Sequence, residues 1–312
     1  MVASFGGTYQ ESQRKAFFEP FAADHGVTIV EGSTEYGKLR TKAEQGDTEI
    51  DVADVETFYV FQASEQNTLE PIPADLIPVD DLLPGSVHEF GVANCVWSTV
   101  LAWNTDAVGD PTPASWADLW DLEKFPGKRA LRDAPQSTLE VALLADGVAL
   151  DALYPLDVDR AFAALDRIKD HVVWWSSGHD APRLLSSGEV TLAAAWNGRV
   201  HDAAQDGQAI AYTWNQGLMD CEWWVIPKGA PNAERAREFI RFALSPEAQA
   251  NQPQHIAYGP TNKLAIAQLS EEVLANLPTA PQNLAVQTRL DAQWWAEHEA
   301  EVTERWSLWK VR

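Results

Sequence analysis

Cysteine is nearly missing from this chain: 312 residues carry two, Cys95 and Cys221. That excludes a disulfide-dense scaffold and any metal site built on paired cysteines. Basic residues are scarce as well, 23 against 46 acidic ones, for a formal charge of −23. A chain so short of lysine and arginine lacks the basic face that phosphate contacts need, so no nucleic acid is expected as a partner. No run approaches the roughly 18 consecutive apolar residues of a membrane span. No charged stretch followed by an apolar one is visible at the start, so a secretory signal, if one precedes Met1, lies outside this sequence. Repeats and low-complexity tracts are absent. No G-x-S-x-G, H-E-x-x-H or phosphate-binding glycine loop occurs, and neither a catalytic residue, a cofactor nor a metal is expected.

The length suits two domains of ordinary size, and a hydrophobic content of 46% gives both a core. The acid surplus fits a cationic ligand steered by a negative field, or simply solubility in a saline habitat. Tryptophan is abundant, 14 residues. Most belong in cores, but an indole also offers a flat wall and a π face suited to cations.

Along the chain, residues 2–5 read as a first strand. Gly6-Gly7 turns, and Thr8-x-x-Glu11 has the capping-box spacing of a helix running from about Tyr9 into Phe21, bent or ended by Pro20. The β-branched run 27–30 reads as strand two, 35–44 as a helix and 50–55 as strand three. Strands alternating with helices predict a mostly parallel sheet covered on both faces. Further on, 96–103 reads as a strong strand, Ser115 as a helix cap, 190–196 as a strand, 209–214 as a strand ended by the turn Asn215-Gln216-Gly217, and 219–226 as another strand. The tail, 284–309, reads as largely helical.

The most informative stretch is Trp196-Asn197-Gly198-Arg199 with Asp220 and Glu222 some twenty residues on. Alternation puts those two carboxylates on one face of their strand. A tryptophan, an arginine and two acids on segments able to meet read as a site that holds a small charged molecule and leaves it unchanged.

Five pieces occur in order over nearly the whole length: Phe5-Gly6-Gly7-Thr8-Tyr9, Ser115-Trp116-Ala117-Asp118-Leu119-Trp120, Trp196-Asn197-Gly198, Val225-Ile226-Pro227-Lys228-Gly229-Ala230 and Tyr258-Gly259-Pro260-Thr261-Asn262. Together they resemble the periplasmic solute-binding proteins of ABC transporters, and within them the spermidine/putrescine-binding group. The resemblance implies an α/β chain with the two-lobe periplasmic binding protein fold (type II), mixed central sheets with helices on both faces, and hinge closure around a ligand held between the lobes. Residues 1–103 and 222–262 would form lobe one, 104–221 and 263–312 lobe two, with hinge strands around 96–104 and 219–226. If those strands lie side by side, Cys95 and Cys221 could bridge; two free thiols are the other reading. The partners implied are a small amine or zwitterion and ABC permease subunits, with the protein a monomer, periplasmic or secreted; lipid anchoring stays open.

Carried over by position, the ligand set is Thr8, Tyr9, Phe58, Asp133, Gln136, Trp196, Arg199, Asp220, Glu222, Tyr258 and Trp294 or Trp295. Asp133 falls where the polyamine group keeps an acid for a terminal amine. Gln136 departs from the pattern, where a second acid is common, and Asp220 stands where an aromatic is usual. Glu56 reads as a solvated loop residue. Arg199 bears most on ligand identity: beside Trp196 it would repel a dication but clamp a carboxylate through two parallel hydrogen bonds. With Asp220 or Glu222 opposite, the set suits an ω-amino acid such as γ-aminobutyrate; with Arg199 turned to Asp202, it suits putrescine or spermidine. The competing functions on the same fold are a thiaminase-like enzyme with a cysteine nucleophile and a ferric-ion receptor. Against the first, Cys221 and Glu222 point to opposite faces and no histidine is placed to activate the thiol. Against the second, the six tyrosines include no adjacent pair.

Overall fold

The computed structural model describes residues 1–311. The chain begins with β1 (Val2–Ser4), α1 (Gly7–Gln13), a π-helical turn (Arg14–Phe18), α2 (Glu19–His25), β2 (Glu31–Ser33), α3 (Tyr36–Gln45), β3 (Val52–Glu56) and α4 (Thr57–Glu65). It continues through β4 (Leu69–Glu70), β5 (Val87–His88), β6 (Gly91–Asn104), α5 (Trp116–Trp120), β7 (Arg129–Arg132), α6 (Thr138–Ala145), α7 (Val158–Asp166), β8 (Val172–Trp175) and α8 (Asp180–Ser186). Then come β9 (Leu192–Trp196), α9 (Asn197–Gln205), β10 (Ile210–Pro227), α10 (Ala233–Ala243), α11 (Pro246–Asn251), β11 (Gly259–Pro260) and α12 (Lys263–Ile266). The last elements are α13 (Glu271–Ala275), α14 (Pro281–Leu284), β12 (Thr288–Arg289) and α15 (Ala292–Lys310).

These elements form two compact units. Unit 1 holds Met1–Val96 and Asp220–Thr279, and unit 2 holds Trp97–Met219 and the chain from Ala280 onward. Strands β6 and β10 therefore each pass from one unit into the other. The divisions fall elsewhere than the sequence reading put them. Residues 97–103 go with unit 2 because β6 pairs with β9, from Thr99 against Trp196 to Trp103 against Leu192. Residues 263–279 go with unit 1, where Leu269 and Leu277 close on Ala257. There the Asn262 side chain accepts from Leu264 N at 2.8 Å and donates to Leu244 O at 2.9 Å.

In unit 1, β2, β1 and β3 run parallel, and β10 lies antiparallel to β3 with Glu222 opposite Glu56. The sheet is thus mixed, as the resemblance implied, with its first three strands parallel, as their alternation with helices predicts. Phe17, Phe18 and Phe21 fall on one helical face and pack with Trp224 and Phe239. The Trp224 ring stands edge-on to Phe17 at 6.1 Å and to Phe239 at 5.5 Å. Truncating such an indole in a filled core costs about 3–5 kcal/mol.

In unit 2, β9 is antiparallel to β6 and parallel to β7, which is parallel to β8. Alanines at 193 and 195 in β9 leave room for Leu184, Leu185 and Val200 in the core. The fully buried Arg129 guanidinium donates to four backbone carbonyls, those of Leu119, Asp121, Phe125 and Gly127. Burial pulls its pKa down to about 10. Helix α15 supplies Trp306 and Trp309, which pack with Trp174 and Phe162, and ammonium groups lie over two of these rings: Lys310 over Trp174 at 3.9 Å and Lys169 over Trp309 at 4.2 Å.

Three local readings are corrected. Residues 27–30 are not a strand: Val27 and Ile29 pack on the core from a loop, and the parallel pairing with β1 is made by Glu31–Ser33. Thr8 does not cap α1; the N-cap is Gly6, with φ +69°, where only glycine is unstrained. Asn215-Gln216-Gly217 does not end a strand, because β10 runs through it. Gln216 has φ +60°, yet its carbonyl accepts from Trp116 Nε1 at 2.8 Å and its N–H donates to Val286 O at 2.8 Å.

Glu140 on α6 is fully buried, and its Oε1 accepts from Tyr154 Oη and Trp295 Nε1, each at 2.6 Å. Burial raises its pKa to about 7. An acid with a raised folded-state pKa contributes stability below its unfolded value, and that contribution is lost as pH rises through about 7. Glu140→Gln keeps an oxygen for both donors. It is expected to melt a few degrees above the parent at pH 8 and to lose that advantage at pH 4.5, as read by calorimetric melting across the range.

Candidate functional site

Each unit gathers its own set of polar and aromatic side chains. In unit 1 the set is built on strand ends. Alternation along β3 puts Asp54 and Glu56 on one face, and along β10 it does the same for Asp220 and Glu222. All four carboxylates are buried. Thr57, opening α4, donates its hydroxyl to Asp220 Oδ1 and accepts from Trp223 Nε1 at 2.8 Å. The Cys221 N–H donates to the same Asp220 oxygen at 2.7 Å. Glu56 is not the solvated loop residue expected from sequence: its Oε2 accepts from Tyr36 Oη at 3.1 Å, and its N–H donates to that hydroxyl at 3.0 Å. Tyr36 stands edge-on to Phe58 at 5.4 Å and stacks on Tyr59 at 4.8 Å. Tyr9 is buried, 5.5 Å from the Tyr258 ring, while Thr8 is exposed in the first turn of α1. Burial, and then the charge of Asp54, raise the pKa of the Tyr9 phenol.

Cys95 and Cys221 are both free thiols, so the bridging reading is set aside. Burial and then the Asp54 charge push the Cys95 thiol up. A thiol held neutral in this way is a poor nucleophile. Among the described residues, no three His, Cys, Asp or Glu side chains gather as a metal site.

In unit 2 the centre is Trp196, where β9 hands over to α9. Its ring meets Trp97 edge-on at 5.9 Å and Trp175 edge-on at 5.1 Å, and the Arg132 guanidinium lies 5.2 Å from its centroid. Asn197 fixes the turn by accepting from Ser98 N at 2.9 Å. Arg199 follows in the first turn of α9 and is buried. Asp202, one turn on, has its carboxyl raised to about 6 by burial, with the Arg199 charge pulling the other way. The indole N–H groups of Trp97 and Trp196 are buried without a hydrogen-bond partner among the described residues.

The other expected residues of unit 2 are engaged by its own helices. Asp133 accepts from Trp306 Nε1 at 3.2 Å and pairs with Lys310 at 3.1 Å. Trp295 is core, bonded to Glu140. Trp294 stacks on His298 at 4.5 Å and faces Tyr154 at 5.9 Å. Gln136 is buried at the entry to α6. Sequence reasoning missed Tyr36, Asp54, Trp97, Arg132, Trp175 and Gly178. Arg132 had a signal, since it precedes the singled-out Asp133; the rest lie in strands, helices and turns whose local pattern gives no sign of function.

Gly178 shows how tightly Trp196 is seated. A Cβ there would lie 2.8 Å from Trp196 Cε3 and Cζ3 and 3.0 Å from Arg199 Nε. The ring cannot retreat without displacing Trp97 and Trp175. Gly178→Ala is expected to destabilise the protein by about 1–3 kcal/mol. Gly37→Ala, in α3 with nothing within 4 Å, is expected to be neutral or stabilising. Thermal melting of the two variants side by side checks this.

A family model described as bacterial extracellular solute-binding protein matches residues 16–282. The chain is 39% identical over 319 residues to the gamma-aminobutyric acid-binding protein of Pseudomonas aeruginosa, covering 100% of this chain and 90% of the relative. It is 27% identical to the spermidine/putrescine-binding periplasmic protein of Escherichia coli, over 83% of this chain and 77% of the relative. The crystal structure of an ABC transporter substrate-binding protein from Bradyrhizobium japonicum superposes with a TM-score of 0.93 at 40% identity, covering 99% of this chain and 98% of that one. This chain, with its α/β two-lobe fold, belongs to the bacterial extracellular solute-binding proteins and is a substrate-binding protein of an ABC transporter.

Proposed function

We propose that this protein is the receptor for a small ω-amino acid of the γ-aminobutyrate type, which it binds outside the cytoplasmic membrane and passes unchanged to ABC permease subunits. Within unit 1 the groups suited to an ammonium are the carboxylates Asp220 and Glu222. Within unit 2 the group suited to a carboxylate is Arg199, with Trp196 as an apolar wall suited to methylene groups. One observation carries the reading: the charged groups beside Trp196 are guanidiniums, Arg132 over its ring and the buried Arg199. Arginine presents a planar fork that matches a carboxylate and repels an ammonium.

The long-polyamine reading loses its expected acid, because Asp133 is occupied by Lys310 and Trp306. The relative at 39% identity, named for γ-aminobutyrate, supports the same choice over the one at 27% named for polyamines. No step of chemistry is needed. Trp196, Arg199, Asp220 and Glu222 act by binding, and Cys221 is a buried thiol.

Isothermal titration with γ-aminobutyrate, putrescine and spermidine tests the assignment. The parent is expected to prefer γ-aminobutyrate. Arg199→Ala is expected to cost at least tenfold in its affinity, Arg199→Lys to recover only part, and Glu222→Ala to cost at least tenfold as well. A parent that prefers either polyamine, or an Arg199→Ala variant that binds γ-aminobutyrate unchanged, would overturn it.

A further inference from the structure

Asp54 lies two residues before Glu56 on the same face of β3 and is fully buried, so it cannot touch a guest. Its Oδ1 accepts from Asn94 Nδ2 at 2.9 Å, and its Oδ2 accepts from Gln13 Nε2 at 2.6 Å, with Ser4 Oγ at 3.3 Å. The Ser4 hydroxyl has one proton, and its shorter contact is with Gln13 Oε1 at 2.6 Å. That bond fixes the Gln13 amide so that its NH2 faces Asp54. On the other side, Asn94 Oδ1 accepts from Tyr9 Oη at 3.4 Å, which turns the Asn94 NH2 toward the same carboxylate. Three elements, β1, α1 and β6, thus contribute neutral dipoles around a single acid on β3.

The titratable groups facing this cluster are Tyr9 on α1, Cys95 on β6 and Glu222 on β10. None of them carries positive charge. A purely structural polar knot would be built more cheaply from a neutral amide, because burying an unpaired carboxylate is costly. The dipoles make the burial tolerable; they do not cancel its charge.

We propose that Asp54 is a specificity-determining residue that acts at a distance: its buried negative charge tunes unit 1 toward cationic guests and couples their binding to a proton. This rests on the reading of unit 1 as the amine-binding side. Two opposite unit charges about 8 Å apart, at an effective dielectric of about 20, change an affinity by a factor of about thirty. Burial raises the Asp54 carboxyl to about 7, against the pull of its hydrogen bonds. Near neutrality the unliganded protein is therefore partly protonated there. An ammonium favours the carboxylate, lowers its pKa and expels the proton. Affinity for an amine rises with pH up to about 7 and is flat above, since the amine and carboxyl of γ-aminobutyrate do not titrate between about pH 6 and 8.

Calorimetry with γ-aminobutyrate at pH 6.5, in two buffers of different ionisation enthalpy, measures proton release directly. The parent is expected to release a fraction of a proton per ligand and Asp54→Asn measurably less. The affinity gap between them is expected to be about tenfold or more at pH 8 and to shrink toward pH 5.5. Asp202 and Glu140 remain in both proteins, so the difference isolates Asp54. A second measurement needs no variant: the Asp54 carboxyl carbon of uniformly labelled parent protein, followed by NMR through pH 5.5–8.5, is expected to show a lower midpoint with γ-aminobutyrate bound. If the parent binds γ-aminobutyrate while the midpoint stays put and Asp54→Asn behaves like the parent, the Asp54 proposal falls and the receptor assignment stands. If the parent binds no amine, both fall.

Discussion

Four carboxylates of unit 1, Asp54, Glu56, Asp220 and Glu222, are more than nine-tenths buried, and much of that unit's architecture consists of what holds them. Taking an acid out of water without a counter-charge is costly unless fixed dipoles replace the solvent. Tyr36 serves Glu56 twice, Thr57 and a backbone N–H serve Asp220, and two side-chain amides serve Asp54. The positions of α1, α3 and α4 follow from this requirement as much as from their apolar faces. Burial, and then the Asp54 charge, keep the Tyr9 phenol and the Cys95 thiol neutral.

Unit 2 answers a different demand. Three of its guanidinium groups stand apart by what they meet. Arg129 ties four carbonyls of the connection ahead of β7 and is structural. Arg132 faces the ring of Trp196, and Arg199 enters α9 directly after it. Indoles dominate the packing because each combines a large apolar plate with a single donor. At Trp116, Trp295 and Trp309 that donor is spent inside the unit. At Trp97 and Trp196 no group among the described residues takes it. This separates tryptophans that build the unit from those beside the guanidinium groups, a distinction that the number of tryptophans in the chain does not carry.

Sequence reasoning succeeded where a short segment carries its own geometry. Ser115 with Asp118 forms a true capping box. Trp196-Asn197-Gly198-Arg199 does turn from a strand into a helix. It failed where a distant partner decides. Glu56 reads as solvated until Tyr36 covers it. The β-branched run 27–30 reads as a strand, but β1 has only three residues to pair, and it pairs them with Glu31–Ser33. Gln216 reads as a turn because its left-handed backbone is locally a turn signal, whereas Trp116 and Val286 hold the strand through it.

By itself the sequence determined the alternation that puts Asp220 and Glu222 on one face, the Trp196–Arg199 pairing and the ordered family segments, because periodicity and turn chemistry act over a few residues. Only the tertiary structure decided which charged groups are buried and which protein groups they meet. That outcome depends on burial and on partners distant in the chain, as Trp306 is from Asp133 at a separation of 173 residues, and no local pattern encodes the meeting of groups so far apart in the chain.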